Sequence, residues 1–381
     1  MIKVGFIGTT SREWMGGLNY LKNLLFALNQ LDKKEIEIYV FVGKKTDLEI
    51  KKYFSQYATL VESSIFDKGS IMWFLSKIEQ RVFSTNFLIQ NLLKKYKLEI
   101  LSHSFLTNIK NIKIINWIPD FQHIHLRDMF SKKELNQRNK SFMDMIEKSD
   151  AIVLSSQDAY GDFKRFAPGY EYKVKVLRFV SQPPNNYIGS NDYIKNMLLR
   201  KYKLNDDFFY MPNQFWKHKN HFIVFRAIDQ LVKSGINISL VCTGYLHDYR
   251  NKRYIKDIYK FIKSNNLNQN IKILGLVSSD DVFGLINISK AVINPSLFEG
   301  WSSTVEECKS VGKNMILSNI SVHREQYPNA LFFPKDSVDG LKKILINYKN
   351  NNHPSNFESL EIRTIKYANA YFDIIRDTVN S

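Results

Sequence analysis

The run NPSLFEGWSSTVEECKSVGK (294–313) concentrates residue types that could do chemistry. A strand-like stretch ends at Pro295, and a loop carries Glu299 and Gly300. A helix signal then opens at Ser303, with Glu306 three residues on to complete a capping box and Gly312 to stop it. A helix N-terminus offers N–H groups without intrahelical partners and partial positive charge, which suits a diphosphate. The capping box accounts for Glu306 but not for Glu307. Glu299 and Glu307 flank this anion site with seven residues between them. Two carboxylates so placed suit the hydroxyls of a sugar and a ribose; the alternative is two surface glutamates near a helix start. A second run, PNQFWKHKNH (212–221), brings Lys219 between a strand and a helix. Alone Lys219 reads as a solvated loop lysine, but beside the first run it reads as a cation for the same anion. His218 and His221 have no carboxylate close in sequence to complete a metal site.

These residues need a scaffold, and the chain supplies one twice. It has 381 residues, 44% apolar and 14% aromatic, enough for two cores. Compact apolar runs at 2–8, 36–43, 98–103, 113–118 and 150–156 read as buried strands. A loop through Gly16 and Gly17 precedes leucines at helical spacing (18–31), and 131–149 reads as a polar helix. The second half repeats the alternation, with strands at 207–213, 237–244, 270–277 and 290–296. Helices there run from about 221 to 235, over 253–264, 280–288 and 303–312, and over 357–381 at the tail. Residues 190–197 read as the link. Strand–helix alternation predicts an α/β protein of two open, doubly wound parallel sheets, with ligands at the carboxyl ends of the strands.

Several classes are excluded or disfavoured. Neither half has G-x-G-x-x-G after its first strand, and there is no P-loop, D-x-D or G-x-S-x-G. Two cysteines, Cys242 and Cys308, build neither a disulfide scaffold nor a cysteine zinc site. No window nears 18 uncharged apolar residues, and the first apolar run is too short for a signal peptide, so a soluble intracellular protein is expected. The net charge of +17 divides almost evenly between the halves, which argues against nucleic acid as a partner. Its densest stretch, 68–97, sets Lys68, Lys77, Arg81, Lys94, Lys95 and Lys97 among apolar residues against Glu79 alone. That is either a basic amphipathic surface for an anionic membrane or an ordinary helix with a solvated lysine face.

PSLFEG followed by E-x7-E resembles the family 4 (group 1) retaining glycosyltransferases, whose fold is GT-B. The resemblance implies two Rossmann-like domains facing a central cleft. The first (1–189, with helix 357–381 crossing back to it) would bind acceptor and the second (190–356) a nucleotide-diphosphate sugar. It implies that Glu299 contacts the donor sugar, that Glu307 contacts the ribose, and that the amides of Trp301, Ser302, Ser303 and Thr304, with Gly300, line sugar and diphosphate. The loop departs from the family's G-F-G-L-P. Lys219 falls on the family's diphosphate lysine, and Gln214 stands where the family has arginine. Gly16 and Gly17 resemble its glycine pair, whose backbone approaches donor or acceptor. A family histidine near the sugar has its counterpart in NWIPDFQHIHL (116–126), where Pro119 takes the histidine position. His123 is then the first catalytic candidate, followed by Asp120 and His103, with Glu299 alongside; each of the first three is also an ordinary structural residue type. Glu325 resembles another recurrent family position.

The expected activity is metal-independent, retaining transfer of a sugar to a glycan or lipid-linked glycan, in surface polysaccharide synthesis at the inner face of the cell membrane. It needs no cofactor beyond the nucleotide sugar as co-substrate. The rivals are a glycoside phosphorylase or nucleotide-sugar epimerase of the same fold, an inactive transferase-like scaffold, and a basic nucleic-acid-binding protein.

Overall fold

Short apolar runs bounded by glycine or polar turns pair best when both faces are covered by helices, and a parallel sheet does this. The computed structural model describes residues 1–8, 15–31, 35–83, 85–107, 109–184, 187, 189, 191–348 and 357–381. In chain order the strands are β1 (Ile2–Ile7), β2 (Ile36–Val42), β3 (Thr59–Glu62), β4 (Ile100–Ser102), β5 (Lys113–Trp117), β6 (Ala151–Leu154) and β7 (Val174–Val176). They continue as β8 (Phe209–Pro212), β9 (Leu240–Thr243), β10 (Ile271–Gly275), β11 (Val292–Asn294), β12 (Met315–Ser318) and β13 (Leu331–Phe333).

The chain forms two units. One comprises Met1–His123, Ser131–Val180 and Glu361–Ser381; the other comprises Ile124–Phe130 and Ser181–Leu360. The first holds a seven-stranded parallel sheet of order β3-β2-β1-β4-β5-β6-β7. Apolar clusters cover it, one built around Phe41, Leu93 and Leu101 and another around Phe121, Ile146 and Phe163. The last helix, Leu360–Asn380, buries Tyr367, Ala368, Tyr371 and Ile375. Tyr371 packs on Phe6 of β1 and its hydroxyl hydrogen-bonds the Ser102 hydroxyl of β4.

The second unit holds a six-stranded parallel sheet of order β10-β9-β8-β11-β12-β13, the same winding as β3-β2-β1-β4-β5-β6. Both are doubly wound, and the strand order reverses between β8 and β11. Phe225, Ile228 and Ile258 fill one face, and Tyr210, Leu285 and Val305 the other.

Two expectations are corrected. Residues 190–197 are not a link: Asn191 caps a helix, Asp192–Tyr202, by accepting from the Ile194 amide at 2.9 Å (Ser190 lies outside the described residues). Its Leu198 lies so close to Gly284 that a Cβ there would meet Leu198 Cδ1 at 2.6 Å. Gly16 and Gly17 are not a loop but the first turn of the helix Met15–Leu28, and a Cβ on Gly16 would meet nothing within 4 Å. Residues 9–14 before it lie outside the described residues. The strands β3, β7, β12 and β13 carry no signal of their own in a reading by runs, because segments of three or four residues are too short to show a period.

Candidate functional site

Both chemistry-bearing runs leave the second sheet at its switch point. PNQFWKHKNH follows β8 and NPSLFEG follows β11, and these strands are neighbours. Residues 80 apart in sequence thereby meet: Lys219 Nζ lies 2.6 Å from Glu299 Oε1, and both side chains are largely buried. The loops also share backbone bonds, since the Leu297 amide donates to the His218 carbonyl at 2.8 Å. Asn220 Nδ2 reaches the Pro295 carbonyl at 3.3 Å.

The Glu299 loop is fixed by a buried polar chain. The Ser296 hydroxyl lies 2.6 Å from Glu299 Oε1 and 2.7 Å from Asn294 Oδ1. Asn294 Nδ2 donates to the Ser302 hydroxyl at 3.0 Å, and the Ser318 hydroxyl donates to the Ser296 carbonyl at 2.6 Å. Burial acts to raise the Glu299 carboxyl, but the Lys219 ammonium and the Ser296 hydroxyl hold it below the ordinary carboxylate range. Glu307 differs. Burial pushes its carboxyl up to about 7, with Lys219 pulling it partly back. The two carboxylates of the E-x7-E pair are thus in different states near neutrality, one ionised against a lysine and one poised to titrate.

The helix Ser303–Ser310 begins one residue earlier in its capping than its sequence suggests. Ser302, not Ser303, is the N-cap, accepting from the Val305 amide. Glu306 therefore completes no capping box. Its carboxylate instead takes Lys309 at 2.8 Å and Gln326 Nε2 at 3.1 Å. Gln326 also grips Ser302 on both sides, accepting from its amide at 3.0 Å and donating to its carbonyl at 2.8 Å. The Ser302 amide is thereby committed inward and is not left to a diphosphate. Trp301 is buried, and Thr304 Oγ1 reaches back to the Pro212 carbonyl at 3.4 Å.

At the end of β8, the buried acceptors Asn213 Oδ1 and Gln214 Oε1 have no hydrogen-bond partner among the described residues. Leaving a buried acceptor unmade costs about 1–3 kcal/mol, so this pair marks a place built to receive donors. The turn holding them rests on Gly244, whose φ is +142° and where a Cβ would meet the Asn213 carbonyl oxygen at 2.3 Å. Only glycine permits that approach.

Sequence reasoning missed Arg250. Its guanidinium lies 4.7 Å from the Phe130 ring centroid and 5.8 Å from that of Trp216, inside the lysine-bearing loop. Asp248 ties the two segments together by accepting from the Lys217 amide at 2.9 Å and the Arg250 amide at 3.0 Å. Arg250 and Lys219 both help hold the buried His218 imidazole, already disfavoured as a cation by its burial, well below its ordinary value. The signal for Arg250 is tertiary, because its loop follows β9 rather than β8.

The candidates from the first half fall apart. His103 is buried at φ +52°, with Nε2 2.9 Å from the Tyr20 hydroxyl and Nδ1 2.8 Å from the Ser102 hydroxyl. Burial takes its imidazole down to about 3, so it is neutral. Asp120 Oδ1 accepts from the Gln122 amide at 2.9 Å. His123 is buried with Nε2 donating to Asn139 Oδ1 at 2.9 Å and its ring 5.2 Å from that of Phe142. Burial holds it below the ordinary imidazole value. His125 goes the other way: the segment Ile124–Phe130 belongs to the second unit, and the His125 ring lies 4.9 Å from that of Phe298, next to Glu299. Of the histidines in this run, His125 is the one brought to the carboxylate loop. Among the described residues, no group of three or more His, Cys, Asp or Glu could hold a metal ion.

Residues 199–368 match the family model of the glycosyl transferases group 1. This part of the chain is a group 1 glycosyltransferase domain. It contains Lys219, Arg250, Glu299 and Glu307 of the switch-point site. No curated protein matches the chain by sequence. Solved structures match over its whole length. The Anabaena HepE protein, crystallised with UDP and glucose, is 13% identical with a TM-score of 0.67, covering 99% of this chain and 97% of that one. Sucrose-phosphate synthase from Thermosynechococcus elongatus is 11% identical with a TM-score of 0.68, covering 99% and 100%. The lipopolysaccharide outer core galactosyltransferase WaaB, in its apo form, is 14% identical with a TM-score of 0.59, covering 99% of each. At such identities the likeness is one of fold, and the fold of this chain is GT-B.

Proposed function

We propose that this glycosyltransferase moves a sugar from a nucleotide-diphosphate sugar to a glycan or lipid-linked glycan acceptor. The transfer retains anomeric configuration, needs no metal, and serves surface polysaccharide synthesis at the inner face of a membrane. The single observation that carries the reading is the buried Lys219–Glu299 pair at the switch point, with Glu307 inside the following helix. Lys219 takes a diphosphate oxygen on donor binding, and Glu299 passes to the hydroxyls of the sugar. Glu307 accepts from the ribose. Arg250 supplies the second cation that Gln214 cannot. In this reading no enzymic nucleophile takes part: the departing phosphate serves as base for front-side attack, and the protein acts by positioning and by stabilising the leaving diphosphate.

The test is thermal stabilisation by UDP-, GDP-, dTDP- and CMP-sugars, with ATP, NAD and short DNA as controls. A donor at about 100 times its dissociation constant adds roughly 2.7 kcal/mol, a shift of several degrees. Stabilisation by one nucleotide-sugar class is the expected result; stabilisation by DNA alone, or by nothing, overturns the reading. Turnover should persist in EDTA, and NMR of the product should show the donor's anomeric configuration.

The two histidines of the 116–126 run separate in the same assays. His125→Ala should lower turnover with little change in melting temperature, since its side chain is exposed. His123→Ala should lower the melting temperature instead, because it opens a cavity beside Phe121 and Phe142. The reverse pattern would return the role to His123.

A further inference from the structure

The helix Ile71–Phe83 is turned inside out. Ile71, Phe74, Leu75, Ile78 and Val82 recur at three-and-four spacing and form one stripe. All five are between 41% and 80% exposed. The helix's buried residue is Ser76, and Trp73 is half-buried beside it. Ser76 donates to the Trp73 carbonyl at 2.8 Å, and Ser70 caps the same turn by accepting from the Trp73 amide at 3.0 Å. A domain helix of this composition would bury its stripe and solvate its serine; here the polar side is inward and the apolar side outward. Phe83 and, on the next helix (Phe87–Lys94), Phe87 extend the exposed surface.

Three cations border the stripe. Lys68, Lys77 and Arg81 are exposed around it, and Lys77 Nζ has a neutral neighbour, Gln80 Oε1, at 3.1 Å. Glu79, the acidic residue of the helix, lies four residues from Leu75 and three from Val82 and so borders the stripe on its other side, where the next helix engages it. Its carboxylate accepts from the Thr85 hydroxyl at 2.7 Å, from the Leu88 amide at 3.1 Å and from the Phe87 amide, capping the next helix. The outer surface is therefore apolar with a cationic border.

We propose that this helix docks the protein on an anionic lipid bilayer, lying in the interface with its stripe toward the acyl chains and Lys68, Lys77 and Arg81 at headgroup level. Charge complementarity selects the occupant. A second copy in a twofold contact would set these cations against themselves, whereas anionic headgroups neutralise them. Thirteen residues are too few to span the hydrocarbon, and among the described residues no helix is long and apolar enough to cross a membrane, so the helix lies flat. The inference deepens the reading of a membrane-presented acceptor, and it rests on the exposed face rather than on the transferase site.

The test is co-sedimentation of the full chain with phosphatidylcholine vesicles with and without phosphatidylglycerol, for wild type and Phe74→Ser/Ile78→Ser. Wild type should bind the anionic vesicles about tenfold or more tightly than the neutral ones, less so as salt rises. The double variant should lose that binding while keeping its melting temperature and its stabilisation by nucleotide sugar. A failure of nucleotide-sugar stabilisation with lipid binding intact would sink the donor reading alone. Equal sedimentation of wild type and variant, or no binding by wild type, overturns the docking proposal. So does a wild-type dimer in lipid-free solution that the variant abolishes, which would give the stripe to a second copy.

Discussion

Replacing Lys219 by methionine should lower kcat/KM for the donor by about 10²–10³-fold, the range for removing one preorganised group from a developing charge. Arg250→Ala should be milder, because its guanidinium is spread over three aromatic rings and Lys219 remains. The lysine substitution also carries a folding cost. Lys219 and Glu299 are 15% and 10% exposed, and removing one partner of a buried pair leaves the other uncompensated, typically at about 3–5 kcal/mol. The pair's contribution has a definite pH sign. Glu299 is held below its ordinary value in the fold, so its stabilisation is present above about 4.5 and is lost as pH falls through the folded value. The difference in stability between wild type and Lys219→Met should therefore be full at neutral pH and shrink in acid. Lys219→Met/Glu299→Gln should recover much of the stability and none of the turnover. Recovery of turnover in the double variant, or a single variant as active as wild type, would remove Lys219 from the reaction.

Glu307→Gln should separate stability from function in the opposite sense. The carboxyl stands near 7 in the fold against an ordinary 4.5, so ionising it in place is disfavoured. Its burial then costs little below about pH 4.5, and the cost grows as pH rises to about 7, reaching on the order of 3 kcal/mol. Glu307→Gln should melt higher than wild type at pH 8, and the two should converge in acid. Donor binding should move the other way, since a carboxylate accepting two ribose hydroxyls is the stronger partner. Wild-type KM for the donor should fall as pH rises through about 7, and the variant should show a high, flat KM. Calorimetric melting and steady-state kinetics over that range check both limbs; a variant that melts lower at pH 8 would mean Glu307 is stabilised by contacts rather than strained by burial.

Much of this site is legible in the sequence. The apolar runs at β1, β2, β8 and β9, the E-x7-E spacing and the KHK loop are local patterns, and each sits where a parallel α/β reading puts it. Local chemistry also misled. Ser303 with Glu306 satisfies the capping-box spacing, yet Asn294 and Gln326 hold Ser302 in the cap position and Glu306 turns to Lys309 and Gln326. The periodic stripe of 71–83 is plain in the sequence, but its direction is not. A helix of that pattern ordinarily buries its apolar side, and only the tertiary structure shows it exposed.

By itself, the sequence determined that this is a two-sheet α/β chain with a lysine loop and two glutamates, because strands, capped helices and short motifs are set by neighbours within a few residues. Tertiary structure alone decided that Lys219 meets Glu299, that Arg250 joins their loop, and that His125 rather than His123 reaches Phe298. The physical reason is strand order. Crossovers place β11 beside β8 across some 80 residues of chain, and no period along the sequence records which strand lies next to which.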